Sequence, residues 1–498
     1  MQRIRALGPL ALIVVMVIAG VIVRAIGVTR SLWLDEFGTL WVVEGSLVEA
    51  VRRTIAFQGQ SPLYYVLTWP FPHVLGESEL ALRLPSLLSS MATALVAGKA
   101  AMLMGGRRSG VICGLSVWLS LPVVQASVNA RAYALAMLAM AVMLYGFLAA
   151  TLHGRRSGRL AFVGGATLLV LSHYVLALAI PAVAVAHLTQ KQLRRRYSMG
   201  QFASDLAAVA VLSALFLPQL VSLWGRRHGL SWLQESQYGP IAGLLLPFLV
   251  GALITPREPF PEAHRVLRRG LWTALVAQIV LVTAASGAGL HLLAARYLSV
   301  IVIPAAILAA TTVARLSLRD ALAPVLCFVA FNAFGYVHNY RTVGTFSGAG
   351  PEDWRQATSV LARLIDDDPS ALVLYRSGFV EQDAAPVVNS AVDQAPLRSP
   401  GTAAPHCRVV PLTYRWTAPA RNAYFDRTVA ASIDGAPRFY VLSLAFAEPG
   451  VGSYVDRVRG WIAERWPGEF TARDVAAGRN IQLVSFERTI SPVGRDHR

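Results

Sequence analysis

Apolar runs long enough to cross a membrane recur through most of this chain, separated by short polar loops. The first occupies residues 7 to 28, broken only by Arg24 and preceded by Arg3 and Arg5. A helix needs about twenty such residues to cross the ~30 Å hydrocarbon core of a bilayer. A cleaved signal peptide would start the same way, but no small-x-small cleavage site follows Ala19, so the run reads as a retained span. Further runs lie at 81 to 104, 109 to 124, 132 to 150, 160 to 172, 175 to 189, 202 to 223, 239 to 255, 270 to 286, 297 to 314 and 321 to 338, which predicts about eleven spans.

Two regions break the pattern. In the first long loop, 29 to 80, Leu47, Val48, Val51 and Ile55 share one face of a predicted helix that would lie at the membrane interface. A breaker at Gln58-Gly59-Gln60-Ser61-Pro62 then leads into Tyr64, Tyr65 and Trp69, residue types that commonly sit at the interface. From residue 339 onward the apolar runs stop and mixed charge takes over. Helix-like Gln356 to Leu364 and Tyr454 to Trp466 alternate with strand-like Ala371 to Arg376, Arg438 to Ala445 and Ile481 to Glu487, while 381 to 435, rich in Ala, Pro and Arg, reads as irregular loop. The expected fold is a polytopic α-helical membrane protein with a membrane domain over 1–338 and a C-terminal extracytoplasmic α/β domain over 339–498.

Composition supports the membrane reading: mean hydropathy is +0.50, 55% of residues are hydrophobic and 15% charged, too apolar for an ordinary soluble protein. A net charge of +17 first suggests nucleic acid, but its distribution excludes that partner. Residues 339–498 hold 18 Arg against 17 acids, so 27 basic and 11 acidic residues fall in the first 338. There they cluster in every second loop: Arg107-Arg108; Arg155, Arg156 and Arg159; Lys191 with Arg194 to Arg196; Arg257, Arg265, Arg268 and Arg269; Arg315 and Arg319. The positive-inside rule places these loops and the amino terminus in the cytoplasm and, with an odd number of spans, the carboxyl terminus outside. Cys113 and Cys327 lie in apolar runs and Cys407 in the tail, so no structural disulfide is implied. Only two of the 45 basic residues are lysine and alanine is abundant, a composition that suggests a high-GC bacterial source.

The outer side then carries few ionisable residues: Asp35, Glu36, Arg83, Arg131, His173, Arg226, Arg227, His228, Glu235 and Arg296. Charges at such depth cost a few kcal/mol unless paired or facing a wet cavity. Together they suit attack by an acceptor hydroxyl on a sugar whose leaving group is a lipid phosphate: a carboxylate takes the hydroxyl proton and arginine forks hold the phosphate. Each residue also has a plain structural role open to it. Asp35 or Glu36 could cap a helix or pair with Arg30, Arg131 could snorkel, His173 could be a turn residue, and Arg296-Tyr297 is a common interfacial pair.

Seven short motifs occur in order: Trp33-Leu34-Asp35-Glu36, Ser61-Pro62-Leu63-Tyr64-Tyr65, Gly76-Glu77-Ser78-Glu79 with Ala81-Leu82-Arg83-Leu84-Pro85-Ser86, Ala130-Arg131-Ala132-Tyr133-Ala134-Leu135, His173-Tyr174, Arg296-Tyr297-Leu298 and Glu352-Asp353-Trp354-Arg355. In order and topology they resemble the GT-C glycosyltransferases, in particular the glycosyltransferase family 39 group, which includes protein O-mannosyltransferases and the lipid A aminoarabinose transferase. The resemblance implies a polyprenyl-phosphate sugar donor, an active site at the outer membrane face and inversion at the anomeric carbon. It makes Asp35 the base, with Glu36 as its neighbour in orienting substrate. It makes Arg131 and Arg296 donor-phosphate ligands, His173 a site-lining residue, and Tyr64 and Arg83 further substrate-binding candidates. Gln60-Ser61 departs from the lysine-proline or double-proline forms common in the family.

No downstream Asp-x-Asp completes a hard-ion site, so neither a cofactor nor an essential metal is expected, although some relatives use a divalent ion. The expected partners are the lipid bilayer, the polyprenyl-phosphate donor, and an envelope glycan, glycolipid or protein acceptor; mannose and arabinofuranose are the favoured sugars. A flippase for a lipid-linked sugar is the alternative from another class. It lacks support from paired Gly/Pro-broken spans in two halves. A catalytically silent envelope-assembly protein keeping the same fold is a further alternative.

Overall fold

The computed structural model describes residues 2–57, 60–214, 217–225, 238–256, 258–290, 292–365, 370–376, 407–412, 424–445, 447–448 and 452–489. Arg226, Arg227, His228 and Glu235, counted above among the outer ionisable residues, lie outside them. The chain forms two compact units, one of Met1–Val28, Val42–Gly76 and Leu80–Ala349, the other of Thr29–Trp41, Glu77–Glu79 and Gly350–Arg498.

The first unit is helical, as its long apolar runs require. Among the described residues six helices are long and apolar enough to cross a membrane: Leu10–Val28, Glu79–Leu119, Tyr133–His153, Glu262–Ala288, Ala295–Val313 and Leu318–Val343. Shorter apolar helices run over Leu176–Thr189, Met199–Ser213 and Ile241–Leu253. Tyr133–His153 is apolar all round and mostly buried, so it forms part of the unit's interior. Leu10–Val28 and Leu318–Val343 instead leave Leu12, Val15, Ile22, Leu322, Val329 and Phe334 exposed. Apolar faces of that extent belong against lipid, and the chain is a multi-pass membrane protein.

The runs at 81 to 104 and 109 to 124 are joined by a sharp bend at Gly106, whose φ of 74° is open to glycine and strained for other residues. The two arms fold back on each other. A Cβ on Gly98 would come within 2.9 Å of the Gly110 carbonyl oxygen, and one on Gly114 within 3.2 Å of that of Ala94. Tyr133–His153 and Arg156–Ser172 pack equally closely, since a Cβ on Gly165 would meet the Met143 backbone nitrogen at 2.3 Å. Small residues at helix crossings are how membrane helices bring backbones together.

Arg24, the lone charge in the first run, is buried, and both of its terminal guanidinium nitrogens find acceptors. Its guanidinium donates to the Gly20 carbonyl at 3.0 Å and the Trp118 carbonyl at 2.9 Å, and lies 3.7 Å from the Trp118 ring centroid. The last helix of the unit, Leu318–Val343, runs past the expected end at 338 to a left-handed Gly344 cap. The predicted interfacial helix forms over Leu47–Phe57 and exposes Leu47, Val48 and Ile55.

The second unit contains a five-stranded sheet. Its strands are β1 (Leu372–Arg376), β2 (Arg408–Leu412), β3 (Arg438–Leu444), β6 (Phe470–Val475) and β7 (Ile481–Arg488), in the order β2-β1-β3-β7-β6. Strands β4 (Ala447–Glu448) and β5 (Gly452–Ser453) form a separate antiparallel pair. β1 runs parallel to β2 and β3, with Leu374 opposite Val410 and Val441, whereas β7 runs antiparallel to β3 and β6. Leu372, Leu374, Phe439, Val441, Val484 and Phe486 face a core with Val455, Val458 and Trp461 of helix Tyr454–Arg465. Helix Trp354–Ile365 also forms. The expected irregular loop over 381 to 435 is corrected where it is described: it contains β2 and a helical stretch from Phe425 to Asp434. Residues 381–406 and 413–423 of that stretch lie outside the described residues.

Candidate active site

Asp35 and Glu36 fall in the first turn of helix Leu34–Glu44, where unpaired backbone N–H groups and the helix dipole favour negative charge. The structure separates their roles. Glu36 is fully buried and its Oε2 accepts from the Trp33 N–H at 3.3 Å, while Asp35 keeps partial exposure. Capping, one of the plain roles open to either acid, therefore falls to Glu36.

The next amide, Leu34 N–H, donates at 3.1 Å to Oε2 of Glu352. That oxygen also accepts from Trp354 Nε1 at 2.5 Å. Trp354 meets Phe37 of the acid-pair helix edge to face, with ring centroids 6.2 Å apart. Arg355 donates its backbone N–H to Ser31 Oγ at 3.2 Å, places Nη2 3.1 Å from the Thr29 carbonyl oxygen and ion-pairs with Glu79. Three of the four residues of the Glu352-Asp353-Trp354-Arg355 motif, Glu352, Trp354 and Arg355, thus bind the segment that carries the acid pair. Glu352 entered the sequence reading only as part of that motif. Its short-range signal is weak because its partner Leu34 lies 318 positions away.

Burial pushes the Glu352 carboxyl up from 4.5 to about 7, and the nearby charges of Asp35 and Glu36 push the same way. The hydrogen bonds from Trp354 and Leu34 oppose that shift without reversing it.

The cationic candidates belong to the first unit. Tyr64, fully buried on the short helix Pro62–Thr68, hydrogen-bonds Ser86 Oγ through its hydroxyl at 2.9 Å, and the same Ser86 oxygen lies 3.3 Å from the Arg131 carbonyl oxygen. Arg131 stands in the turn before helix Tyr133–His153. His173, in the turn that ends helix Arg156–Ser172, is buried with its ring centroid 5.4 Å from Tyr133 and 5.6 Å from Tyr297. Arg296 lies with its guanidinium carbon 5.5 Å from the Tyr297 ring centroid. Burial, and then the positive charge of Arg131 and Arg296, hold the His173 imidazole down at about 3. At neutral pH it is a polar but uncharged lining for the two guanidiniums.

Arg131, Arg296, His173 and Tyr64 are therefore linked through shared neighbours. Tyr133 and Tyr297, each beside a motif arginine, frame His173 and were missed as site residues. Gln219 was missed as well: it accepts from Tyr174 Oη at 2.6 Å and donates to the carbonyls of Gln60 at 2.7 Å and Thr54 at 3.3 Å. Its position amid an apolar run gave no warning of that bracing role. Arg83 is fully buried, and its Nη1 donates to the carbonyls of Gly27 at 3.2 Å and Val28 at 3.1 Å, at the end of the first helix where carbonyls lack intrahelical partners. Among the described residues no group of three or more His, Cys, Asp or Glu is placed to hold a metal ion.

On one unit, then, Glu36 is buried in its cap beside a part-exposed Asp35, and on the other two arginines lie near a neutral histidine. The fold is that of the GT-C glycosyltransferases. Among solved structures, ArnT from Cupriavidus metallidurans in the apo state matches with a TM-score of 0.56 and 15% identity over 96% of this chain and 98% of that one. The same protein bound to undecaprenyl phosphate matches at 0.52 and 13%, over 95% and 98%. The mycobacterial arabinofuranosyltransferase AftD matches at 0.50 and 14%, covering 97% of this chain and 40% of that chain. The Archaeoglobus fulgidus oligosaccharyltransferase matches at 0.51 and 12%, covering 87% and 69%. No family model matches the sequence, and no curated protein does.

Proposed function

We propose that this protein is a membrane glycosyltransferase that moves a sugar from a polyprenyl-phosphate donor to a cell-envelope acceptor at the outer face of a bacterial plasma membrane. The observation that carries the reading is the near-complete two-way correspondence with ArnT, a protein also solved with undecaprenyl phosphate bound. It is joined to an acidic pair at a helix N-terminus, of which only Asp35 retains exposure.

Asp35 takes the proton of the acceptor hydroxyl as its oxygen bonds to the anomeric carbon from the face opposite the phosphate. The bond to the phosphate oxygen breaks, its electron pair stays on that oxygen, and the anomeric configuration inverts. Arg131 and Arg296 bind the donor phosphate and stabilise the charge that develops there. His173 is neutral and lines their surroundings, and Tyr64 with Ser86 sets the backbone at Arg131. Glu36 orients the acidic turn from its buried cap. Arg83 holds the end of the first helix through Nη1.

No step in this scheme needs a metal. Mannose and arabinofuranose are the favoured sugars; AftD, by its name, transfers the second. The membrane domain, 1–338, carries donor binding, the domain over 339–498 is exported, and the amino terminus stays in the cytoplasm.

The test is transfer from radiolabelled polyprenyl-phosphate mannose and its arabinofuranose counterpart, by purified wild-type protein and Asp35→Asn, in membranes supplied with crude envelope acceptors. Label reaching acceptor with the wild type and not with the variant supports the reading and identifies the donor. Lipid that crosses the bilayer with its sugar still attached would instead make the protein a flippase.

A further inference from the structure

We propose that Glu352 is a positioning residue for the acid pair: its carboxyl holds the Leu34 amide and so fixes the helical turn from which Asp35 must meet the acceptor hydroxyl. This rests on the assignment of Asp35 as base. It adds a role for a residue that lies far along the chain and touches no reacting atom.

The geometry is specific. The first turn of helix Leu34–Glu44 offers backbone N–H groups that no intrahelical carbonyl can take. Glu36 takes that of Trp33 from within the turn, but the Leu34 N–H is taken by Glu352, immediately before Asp35. Glu352 is itself fixed by Trp354 Nε1, and the Trp354 ring bears on Phe37 one turn further along. Asp35 is therefore flanked by an amide held by Glu352 and by a side chain, Glu36, held in a cap. Displacing that amide swings the carboxylate, and small displacements of a catalytic group carry large rate penalties.

The charged groups around Glu352 point the same way. Asp35 and Glu36 of the acid-pair helix act on it, while Arg355, three positions on, is engaged with Glu79 and with Thr29. A carboxyl in that setting, raised to about 7, is mostly protonated below neutral pH. Protonated, it keeps an acceptor for Leu34 without adding a third negative charge beside the base.

The experiment compares Glu352→Gln and Glu352→Ala with the wild type and with Asp35→Asn in the transfer assay, measuring kcat, donor KM and the pH profile of kcat. Glutamine keeps a side-chain oxygen for the Leu34 N–H and is uncharged at every pH; alanine removes the acceptor. The expected result is that Glu352→Ala lowers kcat about tenfold or more with donor KM unchanged, as for an effect confined to the transition state. Glu352→Gln should recover most of that loss below neutral pH and erase any inflection in the wild-type profile near neutrality.

An alanine variant with wild-type kcat, a loss confined to KM, or a glutamine variant as slow as alanine below neutral pH would overturn the role. If alanine prevents folding, the glutamine pH profile decides alone: an inflection unchanged from the wild type overturns it. Full transfer by Asp35→Asn would instead overturn the base assignment, whatever the Glu352 variants do.

Discussion

At the scale of single residues, the acidic pair shows how two adjacent carboxylates come to differ. Glu36 is buried and takes a backbone N–H, so it is committed to structure; Asp35, one position earlier, keeps the exposure a base needs. Asp35→Asn is expected to leave donor binding intact and to cut transfer by about 10²- to 10⁴-fold, the usual range for a lost general base. Arg296→Ala should weaken donor binding by about 2 to 5 kcal/mol, as when a buried anion loses its charged partner. Titration of donor affinity for the two variants separates them, and equal affinities would overturn the assignments.

Glu352 also predicts a pH effect on stability. Its carboxyl titrates at about 7 in the folded chain against an ordinary value of 4.5, so between those values the folded state holds a proton that the unfolded state has lost. Its contribution is therefore lost as pH rises through that window and is constant above it. Thermal melts over the window should fall less steeply for Glu352→Gln than for the wild type. The sequence pointed to Asp35 and to the motif around Glu352, but not to the Leu34–Glu352 hydrogen bond, because no local pattern reports a pairing so distant along the chain. Nor could it show that Arg83 faces the carbonyls of Gly27 and Val28.

Among elements, the membrane helices were the most legible, because about twenty apolar residues in a row admit few other readings. The loop read between the runs at 81 to 104 and 109 to 124, marked by Arg107-Arg108, is where the chain reverses, and the bend falls on Gly106. The strands read least well were at the sheet edges. β2 has five residues including Pro411, which a central strand would not tolerate but an edge can. β6, at the other edge, places Thr471, Arg473 and Asp474 largely in solvent, so it shows no apolar alternation. Helix crossings depend on glycines that sequence periodicity does not single out. Gly165→Val should force Tyr133–His153 away from Arg156–Ser172, since even a Cβ at 165 would meet backbone at 2.3 Å. A lower melting temperature and a smaller monodisperse fraction in detergent would show it, whereas Gly164→Ala, where a Cβ meets nothing within 4 Å, serves as the neutral control.

For the whole molecule, the proposed orientation can be checked with impermeant thiol labelling of intact cells. A cysteine at exposed Ala463 should react from outside, and one at exposed Ser157 only after permeabilisation; the opposite pattern would invert the topology. Removal of residues 351 to 498 should abolish transfer while donor binding survives, because the arginines and His173 lie in the other unit. The hydrogen bond from Leu34 to Glu352 closes a loop of 318 positions. Synthesis proceeds from the amino terminus, so the ribosome makes the acid pair early and its brace late. Throughout that interval the first turn of helix Leu34–Glu44 lacks the acceptor for its second amide. A chain interrupted before residue 352 inherits the base without the part that steadies it, so competence arrives only near the end of manufacture.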